Sequence, residues 1–472
     1  MIRGNGTFIT NLRQLNSSRV QIIHNNRLGR MSPLLVNIQA FVIVGFLFLL
    51  LGSNVGYAEE SLQTLIDQTP VNGTLQLDGK TYEGNIVISS PITIIGTEKT
   101  VIKGEGKGNV IMVKASNVTL KNFSVTNGGQ DRNSGEEYAG IKLMEDGNTI
   151  DHIKIIDCFH GVYLSQSHNN VVSNVTVIGK ENGEVAGQGN GIQLYYSNQN
   201  ELVNNYIEGT RDGIFFDYSS QNISKGNDIR HTRYGLHYMY SDKNKFINNR
   251  FSYNIGGAAI MESRGTVLED NQFILNQGTR SYGLLMQSTN DTVITGNLFF
   301  QNQRGIYFDQ SQKAIVKDNE FLQNQIGVEV WASSADQVFS SNKFTNNIAS
   351  VLAFGGKDNN QWSENGKGND WGNSNSVLDL DQNGIGDYPV EYKSSLYQLV
   401  EDNELAYLFL KSPAIKIYEK MNEVLNKKEV MVTDEFPLVE HGATGKHNNL
   451  YMIFLILIIV GSLYWKSKRR RA

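Results

Sequence analysis

The sequence predicts an all-β protein whose body is a right-handed parallel β-helix, and three observations predict it. First, glycine recurs at 140, 161, 191, 213, 235, 257, 283, 305 and 327, in steps of 21, 30, 22, 22, 22, 26, 22 and 22 residues. Second, the segments so defined agree column by column. An aliphatic residue follows the glycine (Ile192, Ile214, Leu236, Leu284, Ile306, Val328), and a second apolar residue stands two further on (Leu194, Phe216, Tyr238, Met286, Phe308, Val330). Ser or Thr stands six after the glycine, Asn fourteen after it, and Asn again nineteen after it through Asn254, Asn276, Asn302, Asn324 and Asn346. Third, the 472 residues include 52 Asn and 46 Gly but only 6 Pro, the composition of a chain made of many turns. Leucine-rich repeats share this period but need leucine columns and helical segments. Here apolar residues alternate with period two in pieces of three to five, which gives short strands and sharp turns.

The elements follow in chain order. Residues 1–58 carry Arg3, Arg13, Arg19, Arg27 and Arg30, then an apolar run from Pro33 to Leu51, then Gly56-Tyr57-Ala58, the pattern of a secretory signal. Ser61–Gln68 reads as a short amphipathic helix capping the first rung, and uncapped solenoid ends invite aggregation. Residues 59–372 form the β-helix with its cap, and 373–448 a C-terminal extension containing a helical stretch near Ser412–Lys427. Leu450–Trp465 is an unbroken apolar stretch flanked by Tyr451 and Trp465, so 449–466 is expected to cross a membrane. The basic tail 467–472 then stays in the cytoplasm. The expected location is the cell membrane, single-pass, with the bulk of the chain extracytoplasmic. A net charge of −5 argues against nucleic acid, and one Cys excludes a disulfide framework.

Alternation turns the second and fourth residues after each glycine outward. There the sequence places Phe215, Asp217, His237, Met239, Met261, Tyr307, Asp309, Glu329 and Trp331, an unusual set for a solvated sheet. His237, Met239 and Met261 are candidate ligands of Cu(I), since imidazole and thioether are soft donors. Phe215, Asp217, Tyr307, Asp309 and Trp331 are candidate partner contacts, and the aromatic ones would equally stack on sugars. Asp309 and Glu329, on adjacent rungs, are within range of a glycosidase carboxylate pair. Asp379, Asp381, Asn383 and Asp387, around Gly384, match the start of a calcium loop, with Val390 where the bidentate Glu belongs. Cys158 and His160 lie two apart and are more simply a buried thiol and its neighbour than a ligand pair.

Arg233–Asp242 (RYGLHYMYSD), Asn248–Phe251 and Gly256–Met261 (GGAAIM) together resemble the NosD family, as do the 371–389 and 410–414 segments; the similarity runs over 59–440. The resemblance implies a non-enzymatic, extracytoplasmic accessory of an ABC transporter, working with its ATPase and permease subunits. Its implied role is assembly of the copper–sulfide centre of nitrous-oxide reductase, by handling copper, sulfur or the reductase itself, with a copper chaperone as a further partner. The alternative is a secreted carbohydrate-binding or carbohydrate-modifying β-helix.

Overall fold

The computed structural model describes residues 60–439, apart from 181–184, 279, 357 and 373–376. The expected signal segment and membrane anchor lie outside the described residues. Each coil contributes one strand to a 12-stranded parallel sheet running from Ile86–Ile88 to Ala349–Phe354. Its other two strands belong to ladders that merge into a 22-stranded sheet, because Thr119–Thr126 and Thr149–Ile156 each run through both. The result is the parallel β-helix that the glycine period predicts. At about 4.8 Å per rung the stack is about 55 Å long.

Both ends are closed. The helix Leu62–Gln68 buries Leu62 and Ile66, and the Ser61 hydroxyl accepts the Thr64 N–H at 3.2 Å. At the other end the interior stack is continued by new residues. Phe251, Phe273, Phe299, Phe321 and Phe344 stack at successive centroid distances of 5.3, 4.9, 4.9 and 4.8 Å. Trp371 takes the next place at 5.0 Å, and Tyr392 follows at 5.5 Å. Tyr392 belongs to Val390–Ser394, which pairs antiparallel with Glu429–Asp434. Asp434 accepts the Trp371 Nε1–H at 2.8 Å and the Asn369 N–H at 2.7 Å. The extension therefore serves as the cap at this end.

Asparagine holds the corners. From Asn205 through Asn227, Asn249, Asn271, Asn297, Asn319 and Asn342 to Asn369, each Nδ2 donates to the next Oδ1 at 2.8–3.0 Å. A second ladder passes through Asn276, Asn302 and Asn324 but ends on Asn347 rather than the expected Asn346. The last full rung is one residue longer, as the 23-residue step from Ser311 to Ser334 shows. That displaces Asn346 into a left-handed turn position with φ 55°. A third ladder, which the glycine-based columns do not include, links Asn148, Asn170, Asn200, Asn222 and Asn244. The two long insertions enter at one corner, between Thr176–Ile178 and Ile192–Tyr195 and between Gln272–Ile274 and Tyr282–Gln287, just before the first strand of the next coil. The single extra residue of the 23-residue step enters instead after the first strand, between Val330 and Val338.

The glycine column marks a close approach between rungs. A Cβ on Gly305 would lie 2.4 Å from the Gly327 carbonyl oxygen and 2.9 Å from the Phe321 ring. Gly305→Ala should therefore destabilise by about 1–3 kcal/mol, read as a lower urea midpoint for the rungs around it.

Candidate functional site

The site is built where strand alternation breaks. Asp212 pairs with Tyr234 and Ile214 with Leu236, while Gly213 and Gly235 are skipped. A Cβ at Gly213 would point at the interior side chain of Ile229, 2.3 Å away, so the glycine and its successor both face the core. The residue before the glycine and the second after it consequently share the outer face. In this way Asp212 meets His237, Asn190 meets Gln193, and Arg304 meets Glu329.

Strict alternation predicts an open outer face, and the structure corrects this. Gln193, Ala259, Leu285 and Glu329 are buried. Tyr234 and Tyr282, from the position before the glycine, join Ala259, Leu285, Met261 and Tyr307 in a small apolar cluster on the outer sheet. Further along, the short 3₁₀ segment Glu404–Phe409 brings Tyr407 over the face.

His237 is held from three directions. Its Nδ1 lies 2.9 Å from Asp212 Oδ2, its ring stacks on Phe215 at 4.4 Å, and Tyr234 meets it edge-on at 5.2 Å. Arg233 clasps the same carboxylate, with Nε 2.8 Å from Oδ1 and Nη2 2.5 Å from Oδ2. Burial alone would raise the Asp212 carboxyl, but hydrogen bonds from His237 and Arg233 outweigh it and hold the group below its ordinary value. An ionised carboxylate only accepts, so the shared proton sits on Nδ1 and the lone pair of a neutral ring on Nε2. Among the described residues Nε2 makes no hydrogen bond. Met239 and Met261, both partly exposed, are direct register partners on adjacent strands, about 4.8 Å apart. Among the described residues no group of three or more His, Cys, Asp or Glu is placed to hold a metal ion. Metal binding at this face would therefore rest on the thioethers.

The five expected partner contacts divide into two ends of the face. Phe215 and Asp217 adjoin His237, and burial raises the Asp217 carboxyl against the opposing pull of His237. Tyr307, Asp309 and Trp331 lie several rungs away. The Arg304 guanidinium is 5.5 Å from the Tyr307 ring, Asp309 accepts from Gln287 Nε2 at 3.2 Å, and Trp331 stacks on Phe354 at 5.2 Å. The Asp309–Glu329 carboxylate pair does not form. Glu329 is buried, with its Oε2 2.7 Å from Arg304 Nε and 2.8 Å from the Tyr407 hydroxyl.

The calcium expectation is also unsupported. Asp379 accepts the N–H groups of Asn383 and Gly384 at 3.1 and 2.9 Å, Asn383 Oδ1 accepts that of Ile385 at 2.8 Å, and Asp387 that of Leu380 at 2.6 Å. Asp381 accepts from the Asn383 side chain at 2.9 Å. The oxygens serve their own backbone, as in an Asx-rich turn. His160 is likewise spent, with Nδ1 accepting the Asn190 N–H at 2.9 Å and Nε2 facing Glu137 at 2.8 Å. Burial raises the neighbouring Cys158 thiol to about 12, which makes it inert.

Three features of this face are not among the residues that strand alternation selects: Asp212, Tyr407 and a column of tyrosines. Tyr196, Tyr218 and Tyr240, five after successive glycines, form an exposed stack at 4.8 and 5.0 Å, each at positive φ. The recurrence of Tyr at that position is the signal that marks the stack in the sequence.

The fold places the chain in the class of right-handed parallel β-helix proteins. The chain belongs to the NosD family. A relative from Stutzerimonas stutzeri, "Probable ABC transporter binding protein NosD", is 30% identical over 417 residues, covering 84% of this chain and 93% of its own. The family described as "Periplasmic copper-binding protein (NosD)" matches residues 180–376, and a right-handed β-helix region matches 81–251, which gives the handedness. Solved structures of similar shape include the periplasmic alginate epimerase AlgG (14% identity, TM-score 0.48, covering 64% of this chain and 82% of that one). The Dettilon tailspike protein is another (13% identity, TM-score 0.48, covering 59% and 61%). At this distance they say nothing of the chemistry of this chain. Among the described residues no helix is long and apolar enough to cross a membrane.

Proposed function

We propose that this chain is an extracytoplasmic accessory protein for maturation of nitrous-oxide reductase. It acts with the ATPase and permease subunits of an ABC transporter and carries copper as cargo. The proposed location is the outer face of the cell membrane, with the apolar stretch Leu450–Trp465 as tether. The observation that carries the copper role is the Asp212 carboxylate fixing His237 through Nδ1. A carboxylate on one imidazole nitrogen orients the other as a metal donor. Nε2 and the thioethers of Met239 and Met261 are neutral, soft donors, and this set fits Cu(I) better than zinc or a hard cation. Sequestration of Glu329 removes the carboxylate pair that a carbohydrate-cleaving role would use.

The test is Cu(I) titration of the purified full chain against a competing chelator, with reductase activation measured alongside in cells. His237→Ala/Met239→Ala/Met261→Ala should lose tight Cu(I) binding and fail to activate the reductase. Asp212→Asn, which keeps all three donors, should weaken binding about 10- to 100-fold. Unchanged affinity in the triple variant would remove copper from this face.

A further inference from the structure

The helix Pro413–Val424 is attached by one side only. Ile415 is buried, Tyr418 packs against the main core, and Glu419 accepts from the Ser395 N–H at 2.9 Å and its hydroxyl at 2.8 Å. The opposite side carries Ile417, Met421, Val424 and Leu425, spaced one, two and just over two turns apart, and these are 61, 57, 77 and 57% exposed. Four large apolar side chains on one strip of an otherwise satisfied helix need a cover.

Two observations identify the cover. Residues 404–429 contain five Lys (411, 416, 420, 427, 428) and four Glu (404, 419, 423, 429). Lys420 pairs with Glu423 at 2.8 Å and Lys428 with Glu419 at 3.1 Å, whereas Lys411, Lys416 and Lys427 make no ion pair among the described residues. Lys411, Lys416, Lys420 and Lys427 are exposed beside the apolar strip. An apolar strip bordered by lysines is the pattern of a helix lying in a lipid interface with anionic headgroups. The described chain also ends at Val439, and only residues 440–449 separate it from the apolar stretch starting at Leu450. Ten residues span at most about 35 Å, so the tether holds the cap close to the bilayer.

We propose that Ile417, Met421, Val424 and Leu425 rest on the outer leaflet of the membrane, with the lysines on anionic headgroups. The solenoid would then be seated on the bilayer by its C-terminal cap instead of swinging on a loose linker. This inference builds on the anchored, extracytoplasmic placement proposed above.

The experiment uses the full chain with Cys158→Ala, so that Met421→Cys supplies the single thiol for a fluorophore. The labelled protein is reconstituted into phosphatidylcholine–phosphatidylglycerol vesicles containing a doxyl-labelled lipid. The expected result is several-fold stronger quenching at 421 than in the control Lys317→Cys. Quenching should fall in vesicles of phosphatidylcholine alone, and on adding Ile417→Ser/Val424→Ser. Equal quenching at 421 and 317 overturns the inference. It is equally overturned if the probe becomes shielded only when transporter subunits are added, an outcome that assigns the strip to a protein partner. Alkaline carbonate extraction reads the anchor separately, so release of the chain refutes the tether and not the quenching result.

Discussion

Glu329→Ala is expected to cost about 3–5 kcal/mol, because it strands the Arg304 guanidinium in a buried site without its carboxylate. Arg304 and Glu329 side chains are 8% and 2% exposed, and their closest atoms are 2.7 Å apart. The guanidinium also lies 4.0 Å from the centre of the Tyr407 ring, so it is held by the aromatic ring as well as the carboxylate. Burial, and after it the Glu329 charge, pushes ionisation of Tyr407 upward, which keeps its hydroxyl a donor to Glu329. A buried pair of this kind adds little over well-packed apolar residues, whereas removing one member leaves a bare charge. Arg304→Met/Glu329→Leu should therefore be markedly more stable than Glu329→Ala. Long repeat arrays lose parts independently, so hydrogen exchange is the sharper measurement. Glu329→Ala should accelerate exchange in 404–424 well before it affects rungs near Asn205. Unaltered exchange there would show that the Glu404–Phe409 segment is held by other contacts.

Asn271→Leu should be of similar severity and more local. Asn271 Oδ1 accepts the Asn249 main-chain N–H at 2.9 Å and its Nδ2–H at 3.0 Å. Asn271 Nδ2 in turn donates to the Phe246 carbonyl at 2.8 Å and to Asn297 at 3.0 Å. Leucine fills a comparable volume but leaves two Asn249 donors, the main-chain N–H and one Nδ2–H, buried without their acceptor, at about 1–3 kcal/mol for each group that water cannot reach. The expected total is about 3 kcal/mol or more, seen as faster exchange at the corners of rungs 249–297. A loss near 0.5 kcal/mol would mean that backbone pairing alone carries these corners.

How far the sequence reveals the molecule depends on the range of the interaction. Coil architecture is written in residues that repeat next to themselves every 22 positions, so Gly213, Phe273 and Asn271 announce their partners by spacing. The asparagine column slips by one at its end because a single inserted residue is invisible to a fixed period. The ladder through Asn170 and Asn200 carries the same kind of signal, at a different offset from the glycine. At the outer face the strand rule itself misleads. Asp212 stands on the wrong side of the glycine for strict alternation, and only the inward-facing glycine puts it beside His237. Tyr407 is beyond any pattern, since it reaches Glu329 across 78 residues. The candidate copper donors His237, Met239 and Met261 are legible from spacing, but the carboxylate that aims the histidine is not.

The placement of the long coils has a consequence for how such a protein diversifies. Asn271 and Asn297 are 26 residues apart and Asn170 and Asn200 are 30 apart, yet both pairs bond at the same 2.8–3.0 Å as pairs 22 apart. In these two coils the extra chain enters at one corner and leaves the ladders undisturbed, because closing a longer loop costs little. That corner opens directly into the strand bearing the outer face. Insertions and deletions there can remodel the rim of the outer face while the coils keep their pitch. The scaffold thus separates what must stay in register from what is free to vary, and the border between them runs along one edge.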